Sequence, residues 1–230
     1  MNKRVVFVLV EGDSEKISLT PAFEQAFPKK KVVVSPYYGD ITTDKFGNLE
    51  GIKERIYVAL REGLRQYSLD YDDVAEIIHL VDTDGAYLEN KRVIENANLK
   101  KTQYNAKKCC INTSNKYSLE KRNQYKRDTI DYLVGTDSLF GIPYRVFYMS
   151  CNLDHVLHDN PNLKSRDKRP MAKSFAAKYC KDYAEFIDFI AHSSFSEIGD
   201  YMESWDQMRF EESGLKSISR LTNLGIVFVD

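Results

Sequence analysis

Five acidic residues stand at or just after the ends of apolar runs in this 230-residue chain. Glu11 and Glu15 follow the run 5–10, Asp82 and Asp84 follow the run 76–81, and Asp154 follows the run 144–149. Carboxylate oxygens are preferred ligands of hard divalent cations, and two such ions about 4 Å apart can orient a water and stabilise a leaving oxygen in phosphodiester cleavage. One acid at a strand end is more often a helix cap, so the hypothesis depends on all three groups together.

The apolar runs predict the elements that position these acids. Short, continuous, β-branched runs are typical of buried strands, and apolar residues three and four apart are typical of amphipathic helices. The predicted strands cover residues 4–10, 31–38, 76–81, 144–149 and 226–229. The predicted helices cover residues from about 13 to 27, with a kink or restart at Pro21, then 51–67 and 119–133.

This order of strands and helices predicts an α/β fold with a mostly parallel central sheet flanked by helices. We expect one domain, 1–230, with a basic, partly helical insertion at about 86–141 and a helical C-terminal extension at about 160–230. The sites of such sheets lie at the carboxyl ends of the strands, where the acidic groups fall. On an extended strand tip, Asp82 and Asp84 would point to the same side.

Positive charge is concentrated in two segments, although the net charge of the chain is −1. Residues 90–127 contain eleven basic and two acidic residues, and residues 161–181 contain seven and one. Cations that hold phosphates beside carboxylates that hold a metal would suit an enzyme acting on a polyanion, whereas solvated helix faces are the ordinary alternative. The predicted nucleic-acid contacts are Lys100, Lys101, Lys107, Lys108, Lys121, Arg122, Lys126 and Arg127. The tyrosines that interleave with them could stack on unpaired bases: Tyr87, Tyr104, Tyr117, Tyr125 and Tyr132.

Composition excludes several classes of protein. No apolar run approaches the roughly 20 residues that span a bilayer, so we expect no membrane insertion or secretion. Cys109 and Cys110 are adjacent, which argues against a disulfide framework and favours a reducing cytoplasm.

The acidic segments resemble a known family. Glu11-Gly12-Asp13-Ser14-Glu15 after one strand and Asp82-Thr83-Asp84-Gly85 after a later one resemble the TOPRIM fold, a Rossmann-like fold of topoisomerases, primases, RNA-maturing ribonucleases and OLD-family nucleases. The stretch VEGDSEK resembles the OLD-like branch. Residues 150–158 are similar to the Asn-x-x-Glu-x-x-x-x-x-His stretch of RloB-like proteins and of defence effectors paired with an ABC-type ATPase, with Asp154 in place of Glu and a shorter spacing to His. The resemblance spans residues 4–158 in pattern and some fifteen positions in identity.

The resemblance implies a metal-dependent nuclease that uses two Mg²⁺ or Mn²⁺ ions. Glu11 would be a metal ligand or general acid/base, Asp82 and Asp84 metal ligands, and Glu15 and Asp154 ligands of the second ion. A late lysine would stabilise charge, with Lys216 as the candidate and Lys16 as its competitor. The substrate would be DNA or RNA, tRNA included, and the biological role a toxic effector of prokaryotic anti-phage defence by abortive infection. No Gly-x-x-x-x-Gly-Lys-Ser/Thr run occurs, so a controlling ATPase would be a separate chain; homo-oligomers are also compatible.

Other interpretations of the same residues stay open. Asp82 and Asp84 also resemble the nucleophile and the acid/base of haloacid-dehalogenase-type phosphatases, although that motif normally opens its domain. A TOPRIM scaffold could also bind nucleic acid or a partner without catalysis. A calcium loop fails because the twelfth position from Asp82 is Val93. The remaining candidate is a zinc set with a spacing that fits no compact ligand pattern: Cys151, His155, His158 and Cys180.

Overall fold

A computed structural model of the chain describes residues 4–43, 49–179 and 182–229. Strands are β1 Val5–Val10, β2 Lys31–Pro36, β3 Val74–Asp82, β4 Val93–Glu95, β5 Gln103–Asn105, β6 Cys110–Thr113, β7 Ser138–Leu139 and β8 Ile142–Met149. Helices are α1 Asp13–Ala26, α2 Leu49–Arg65, α3 Lys116–Val134, α4 Leu153–His158, α5 Ser165–Tyr179, α6 Tyr183–Ala191, α7 Tyr201–Phe210 and α8 Ile226–Val229. Short 3₁₀ turns occur at Tyr71–Asp73, Asn90–Arg92 and Leu215–Ile218.

The chain divides into two compact units. The first comprises Met1–Val81, Tyr132–Phe147 and Ser165–Phe186, and the second comprises Asp82–Asp131, Tyr148–Lys164 and Ile187–Asp230. Within the part of the chain that the structure describes, no helix combines the length and the apolar composition that a bilayer crossing requires.

The first unit is built on a five-stranded sheet of order β2-β1-β3-β8-β7. All six residues of β1 are buried, as expected for a strand covered on both faces. β1 pairs in parallel with β2 and with β3, and Leu9 lies opposite His79. The predicted α/β fold with a mostly parallel sheet flanked by helices is therefore confirmed.

Two helices of the first unit follow the predicted periodicity. α1 continues through Pro21 without interruption and packs against β2 and α5. α2 packs against β2 and β1 through a buried face made by Ile52, Ile56, Leu60 and Leu64. Gly63 lies on this face, where a Cβ atom would stand 2.6 Å from the Ser35 hydroxyl oxygen and 2.8 Å from the Phe7 ring.

The second unit contains a small sheet that the sequence pattern did not predict. Its order is β4-β6-β5, with β4 parallel and β5 antiparallel to β6. Strands of three or four residues leave little periodic signal. The predicted helix in this insertion is confirmed as α3. Sheet and helix enclose a common apolar cluster: Leu88, Val93, Ile111, Leu119 and Ile218.

The C-terminal part of the chain contains the helices α5, α6 and α7, but the predicted strand at 226–229 is wrong. These residues form the short helix α8, in which Ile226 N–H donates to the Asn223 carbonyl and Phe228 N–H donates to the Gly225 carbonyl. A short apolar run has the same composition in a strand and in a buried helical turn. Gly225, directly before this turn, packs closely against α6, since a Cβ there would lie 2.8 Å from the Ile190 carbonyl oxygen.

Replacing Gly63 with Val should separate α2 from the sheet, because the added methyl groups would occupy the space of Ser35 and Phe7. We expect the free energy of unfolding in urea to fall by about 1–3 kcal/mol. The neighbouring exposed Glu62→Ala is the matched control, with a change within about 0.5 kcal/mol. Equal stability of the two variants would contradict the packing described for α2.

Candidate functional site

The loop after β3, residues 82–85, is held by backbone hydrogen bonds from two other segments. Thr83 N–H donates to the Met149 carbonyl at 3.0 Å, Asp84 N–H to the Cys151 carbonyl at 2.8 Å and Gly85 N–H to the Ser217 carbonyl at 3.1 Å. All of these residues belong to the second unit. The loop is therefore fixed by the segment that follows β8 and by the turn at 214–218.

The backbone of this loop turns left-handed immediately after the strand. Asp84 has a φ of 51° and Gly85 a φ of 71°, so the chain is not extended at the second aspartate. Glycine suits its position, because a Cβ there would lie 2.4 Å from the Ile111 Cδ1 atom. The alternation that would place Asp82 and Asp84 on one side holds only for an extended chain, and the two carboxylates contact different partners.

Both carboxylate oxygens of Asp84 are engaged. Oδ1 accepts a hydrogen bond from the Tyr104 hydroxyl at 2.7 Å, and Oδ2 lies 2.7 Å from the Lys126 ammonium and 3.2 Å from the Arg122 guanidinium. Lys126 is completely buried, and 17% of the Asp84 side chain is exposed. Burial acts to raise the pKa of Asp84, but Lys126 and Arg122 outweigh it and lower the pKa to about 2. Asp84 is thus a carboxylate at neutral pH and the counter-ion of a buried lysine.

Side chains of α3 also bind the backbone of the same loop. Arg122 donates to the Asp84 carbonyl at 3.0 Å, Asn123 donates to the Gly85 carbonyl at 3.3 Å and Arg127 donates to the Ala86 carbonyl at 3.4 Å. Carbonyls that the left-handed turn leaves outside regular structure obtain partners in this way. A helix with five basic residues is therefore attached directly to the acidic loop.

These contacts remove one residue from the predicted nucleic-acid contacts. Lys126 is buried against Asp84, so its ammonium does not belong to the surface. Arg122 and Arg127 are half-buried and donate to the loop. The remaining predicted contacts are exposed in the second unit: Lys100, Lys101, Lys107, Lys108 and Lys121.

Asp82, the last residue of β3, and Asp154, in the first turn of α4, also belong to the second unit. Asp82 Oδ1 accepts the Leu153 N–H at 3.0 Å, and Asn152 caps the helix by accepting the His155 N–H. Asp154, in the first helical turn, is buried. Between these acids, burial raises the pKa of the Cys151 thiol, and Asp84 and Asp82 raise it further, which keeps the sulfur protonated.

Glu11 and Glu15 belong to the first unit. Glu11 directly follows β1, the parallel neighbour of β3, and its carbonyl accepts the Gly39 N–H at 3.2 Å. Glu15 lies in the first turn of α1, and both glutamates are half-buried. Lys16, the alternative to Lys216 as a charge-stabilising lysine, is on the same turn and also half-buried.

Lys216 lies beside the acidic loop through its backbone but not through its ammonium. The next residue, Ser217, accepts hydrogen bonds through its carbonyl from Gly85, Cys151 and the Thr83 hydroxyl. The Lys216 ammonium instead lies 3.2 Å from Glu197 and 2.6 Å from the Gln207 side-chain oxygen. The Lys216 ammonium is therefore paired with Glu197.

The donor chemistry at the loop fits a hard cation better than zinc. Asp82 and Asp154 supply carboxylate oxygens, which suit Mg²⁺ or Mn²⁺, whereas the Cys151 thiol is held protonated. Among the residues that the structure describes, no three His, Cys, Asp or Glu side chains are grouped closely enough to hold a metal ion. Cys180 of the zinc set lies outside the described residues.

The structure adds two residues to the site, Tyr104 and Asn123, that chemical motifs did not indicate. Asn123 and Lys126 occur between Leu119 and Ile130 at spacings of four, three and four, which places them on the buried face of α3. That periodicity was available in the sequence and indicates an inward-facing lysine. No comparable signal exists for Tyr104, because its contact with Asp84 joins residues of separate elements.

Replacing Asp84 with Asn should leave Lys126 buried without its counter-ion, and we expect the free energy of unfolding to fall by about 3–5 kcal/mol in urea at pH 7. Asp128→Asn, on the exposed face of α3, should change stability by less than about 0.5 kcal/mol. Because the pKa of Asp84 is lower in the folded chain than the unfolded value of about 3.9, its stabilisation is present above that value and disappears as the pH falls towards about 2. A loss below about 1 kcal/mol for Asp84→Asn would contradict the buried ion pair.

Comparison of the chain with models of known protein families, with curated proteins and with solved structures finds no match. The TOPRIM resemblance therefore depends on the acidic segments of the sequence alone.

Proposed function

We propose that the chain is a Mg²⁺- or Mn²⁺-dependent nuclease of TOPRIM-like type that hydrolyses phosphodiester bonds of DNA or RNA. The observation that carries the proposal is that Asp82, oriented by the Leu153 N–H, and the buried Asp154 lie in the same unit as the exposed lysines of the insertion. A metal-dependent enzyme acting on a polyanion needs both carboxylates and cations, and this unit contains both. In the same proposal the protein acts in the cytoplasm as an anti-phage effector, under the control of a separate ABC-type ATPase.

The carboxylates have different roles in this proposal. Asp82, oriented by the Leu153 N–H, and Asp154 would be metal ligands in the second unit, and Glu11 and Glu15 would be metal ligands in the first. When bound, divalent ions lower the pKa of a coordinated water and neutralise charge on the leaving oxygen. Asp84 would serve as a positioning residue, because both of its oxygens already bind cations or a hydroxyl. Lysines of the insertion would hold the phosphates.

The phosphatase interpretation is disfavoured by the charge of Asp84. In that interpretation Asp84 gives a proton to the leaving group, but a carboxyl group with a pKa of about 2 is ionised at neutral pH and cannot donate one. A small phosphomonoester provides the direct comparison. Rapid turnover with a covalent phosphate on Asp82 would favour the phosphatase over the nuclease.

Asp82→Asn and Glu11→Gln should each reduce metal-dependent cleavage by at least about 100-fold, because an amide is a weaker cation ligand than a carboxylate. Supercoiled plasmid, circular single-stranded DNA and total tRNA, incubated in parallel with Mg²⁺ or Mn²⁺, report the cleavage and the substrate class. The exposed Asp72→Asn is the matched control and should cut like the parent. Parental activity in both site variants would refute the assignment.

The double variant Asp84→Asn with Lys126→Met separates stability from metal binding. Removing both partners of a buried ion pair is often nearly neutral for stability, so the double variant should be more stable than Asp84→Asn alone. If Asp84 positions the loop and binds no metal, the double variant keeps its dependence on Mg²⁺ concentration in the cleavage assay. A large rise in the Mg²⁺ concentration required would instead make Asp84 a ligand.

Replacing Lys100, Lys101, Lys107 and Lys108 with Gln should weaken nucleic-acid binding and flatten its salt dependence. Each lysine–phosphate interaction that the substitutions remove lowers the slope of log K against log salt by about 0.7 to 0.9. The matched control removes four exposed basic charges from the first unit: Lys29, Lys30, Arg61 and Arg65. The same slope for parent and insertion variant, in fluorescence anisotropy without metal, would return these lysines to the role of solvated surface.

A further inference from the structure

The outer face of α3 carries two exposed tyrosines with a lysine between them. Tyr117 and Tyr125 are 65% and 47% exposed, and Lys121 lies between them at spacings of four residues. Residues four apart share one side of a helix, and Leu119, Lys126 and Ile130 occupy the opposite, buried side. The three side chains thus form a single row on the solvent side of α3, which we call the tyrosine row.

The structure distinguishes these two tyrosines from Tyr87 and Tyr104. Tyr87 donates a hydrogen bond to Asp131 at 2.8 Å, and Tyr104 donates to Asp84. Burial raises the pKa of both hydroxyls, with the neighbouring aspartates as the second cause. Tyr87 is buried and Tyr104 is half-buried, and both hydroxyls are bonded to aspartates. Tyr117 and Tyr125 are instead exposed to water.

Charge around the tyrosine row selects the class of partner. The row lies on the segment 90–127, which has eleven basic and two acidic residues, and the Lys121 ammonium lies 4.5 Å from the centre of the Tyr117 ring. Asp128 follows on the same side, where it accepts a hydrogen bond from Gln124. A surface with this excess of cations attracts a polyanion, and exposed aromatic rings add a means of holding bases.

Aromatic stacking requires bases whose faces are accessible. In a duplex the base faces are covered by their neighbours, and a helix surface meets only phosphates and groove edges. In a single strand, a bulge or a loop, bases can turn out and stack on aromatic rings. The two rings stand about 12 Å apart along the helix, from a rise of about 1.5 Å per residue, which spans three to four nucleotide steps of about 3.4 Å.

We propose that the tyrosine row binds unpaired nucleotides, with Tyr117 and Tyr125 stacking on bases and Lys121 contacting the phosphates between them. This inference rests on the proposed function and specifies its substrate class as single-stranded DNA or RNA, or an unpaired region of a folded RNA. Exposed lysines elsewhere in the insertion hold the strand without regard to base pairing. The tyrosine row thereby supplies the preference for unpaired over paired substrate.

The test measures binding apart from cleavage, by fluorescence anisotropy in EDTA. The probes are labelled 16-nucleotide oligo(dT), oligo(U) and a blunt 16-base-pair DNA duplex. Tyr117→Ala with Tyr125→Ala should weaken binding to the single strands by about 5-fold or more for each tyrosine, since stacking contributes roughly 1–3 kcal/mol per base, and should leave duplex binding within about 2-fold. The relative loss on oligo(dT) and oligo(U) distinguishes a DNA from an RNA preference.

Three further variants make the result specific. Tyr117→Phe with Tyr125→Phe keeps both rings and should bind single strands like the parent. Lys121→Gln should weaken binding to all three probes alike and reduce the salt slope by about 1, as expected of a phosphate contact. Tyr71→Ala, at a comparably exposed tyrosine of the first unit, should change nothing.

Equal losses on duplex and single strands, unchanged single-strand binding in the alanine variant, or no binding by the parent would each overturn the inference. Because the assay contains no metal, these outcomes do not depend on cleavage. A chain that binds single strands through the tyrosine row yet cuts nothing in Mg²⁺ or Mn²⁺ would refute the nuclease and leave the inference standing.

Discussion

The ion pair between Asp84 and Lys126 is the interaction on which the arrangement of the second unit depends. A fully buried ammonium is strongly unfavourable without a charged partner, and only a carboxylate at hydrogen-bonding distance offsets its loss of hydration. The Asp84 carboxylate lies 2.7 Å from the Lys126 ammonium and also accepts a hydrogen bond from the Tyr104 hydroxyl. One carboxylate thereby connects the loop after β3 with α3 and with β5, which are distant from one another in the chain.

This pairing divides the charged residues of the insertion by role. Cations on the inner side of α3 neutralise Asp84 or bind loop carbonyls, and those on the outer side face water. The same division applies to the acids, since Asp84 is already neutralised whereas Asp82 is oriented by a backbone N–H at the start of α4. Residues that look equivalent by charge alone thus have different contacts.

Backbone hydrogen bonds also hold the loop after β3 in place. Met149, Cys151 and Ser217 provide carbonyls that fix the loop after β3, so a left-handed turn that would be strained in isolation has a hydrogen bond for each of its N–H groups from Thr83 to Gly85. The turn at 214–218 is correspondingly close to the loop, yet the Lys216 ammonium is paired with Glu197. Proximity along the backbone therefore does not imply that a side chain serves the same site.

The sequence alone determined the longer strands and helices of the α/β fold and their order. The apolar runs of β1 and β3 and the three-four spacing of α2 are local patterns set by burial, and the structure agrees with them to within a few residues. The position of the acids after these strands followed from the same patterns. Even the inward direction of Lys126 is contained in the spacing of its apolar neighbours on α3, although its charge suggested a surface role.

Only the tertiary structure decided which side chains meet. The left-handed backbone of Asp84, its bond to Tyr104, the small sheet of three- and four-residue strands and the helical turn in place of the last predicted strand all depend on contacts between separate elements. Local periodicity records which face of an element is buried but not what it is buried against. A carboxylate at a strand end can therefore be located from sequence, whereas its partner, and with it the choice between metal ligand and counter-ion, is set by the elements that fold around it.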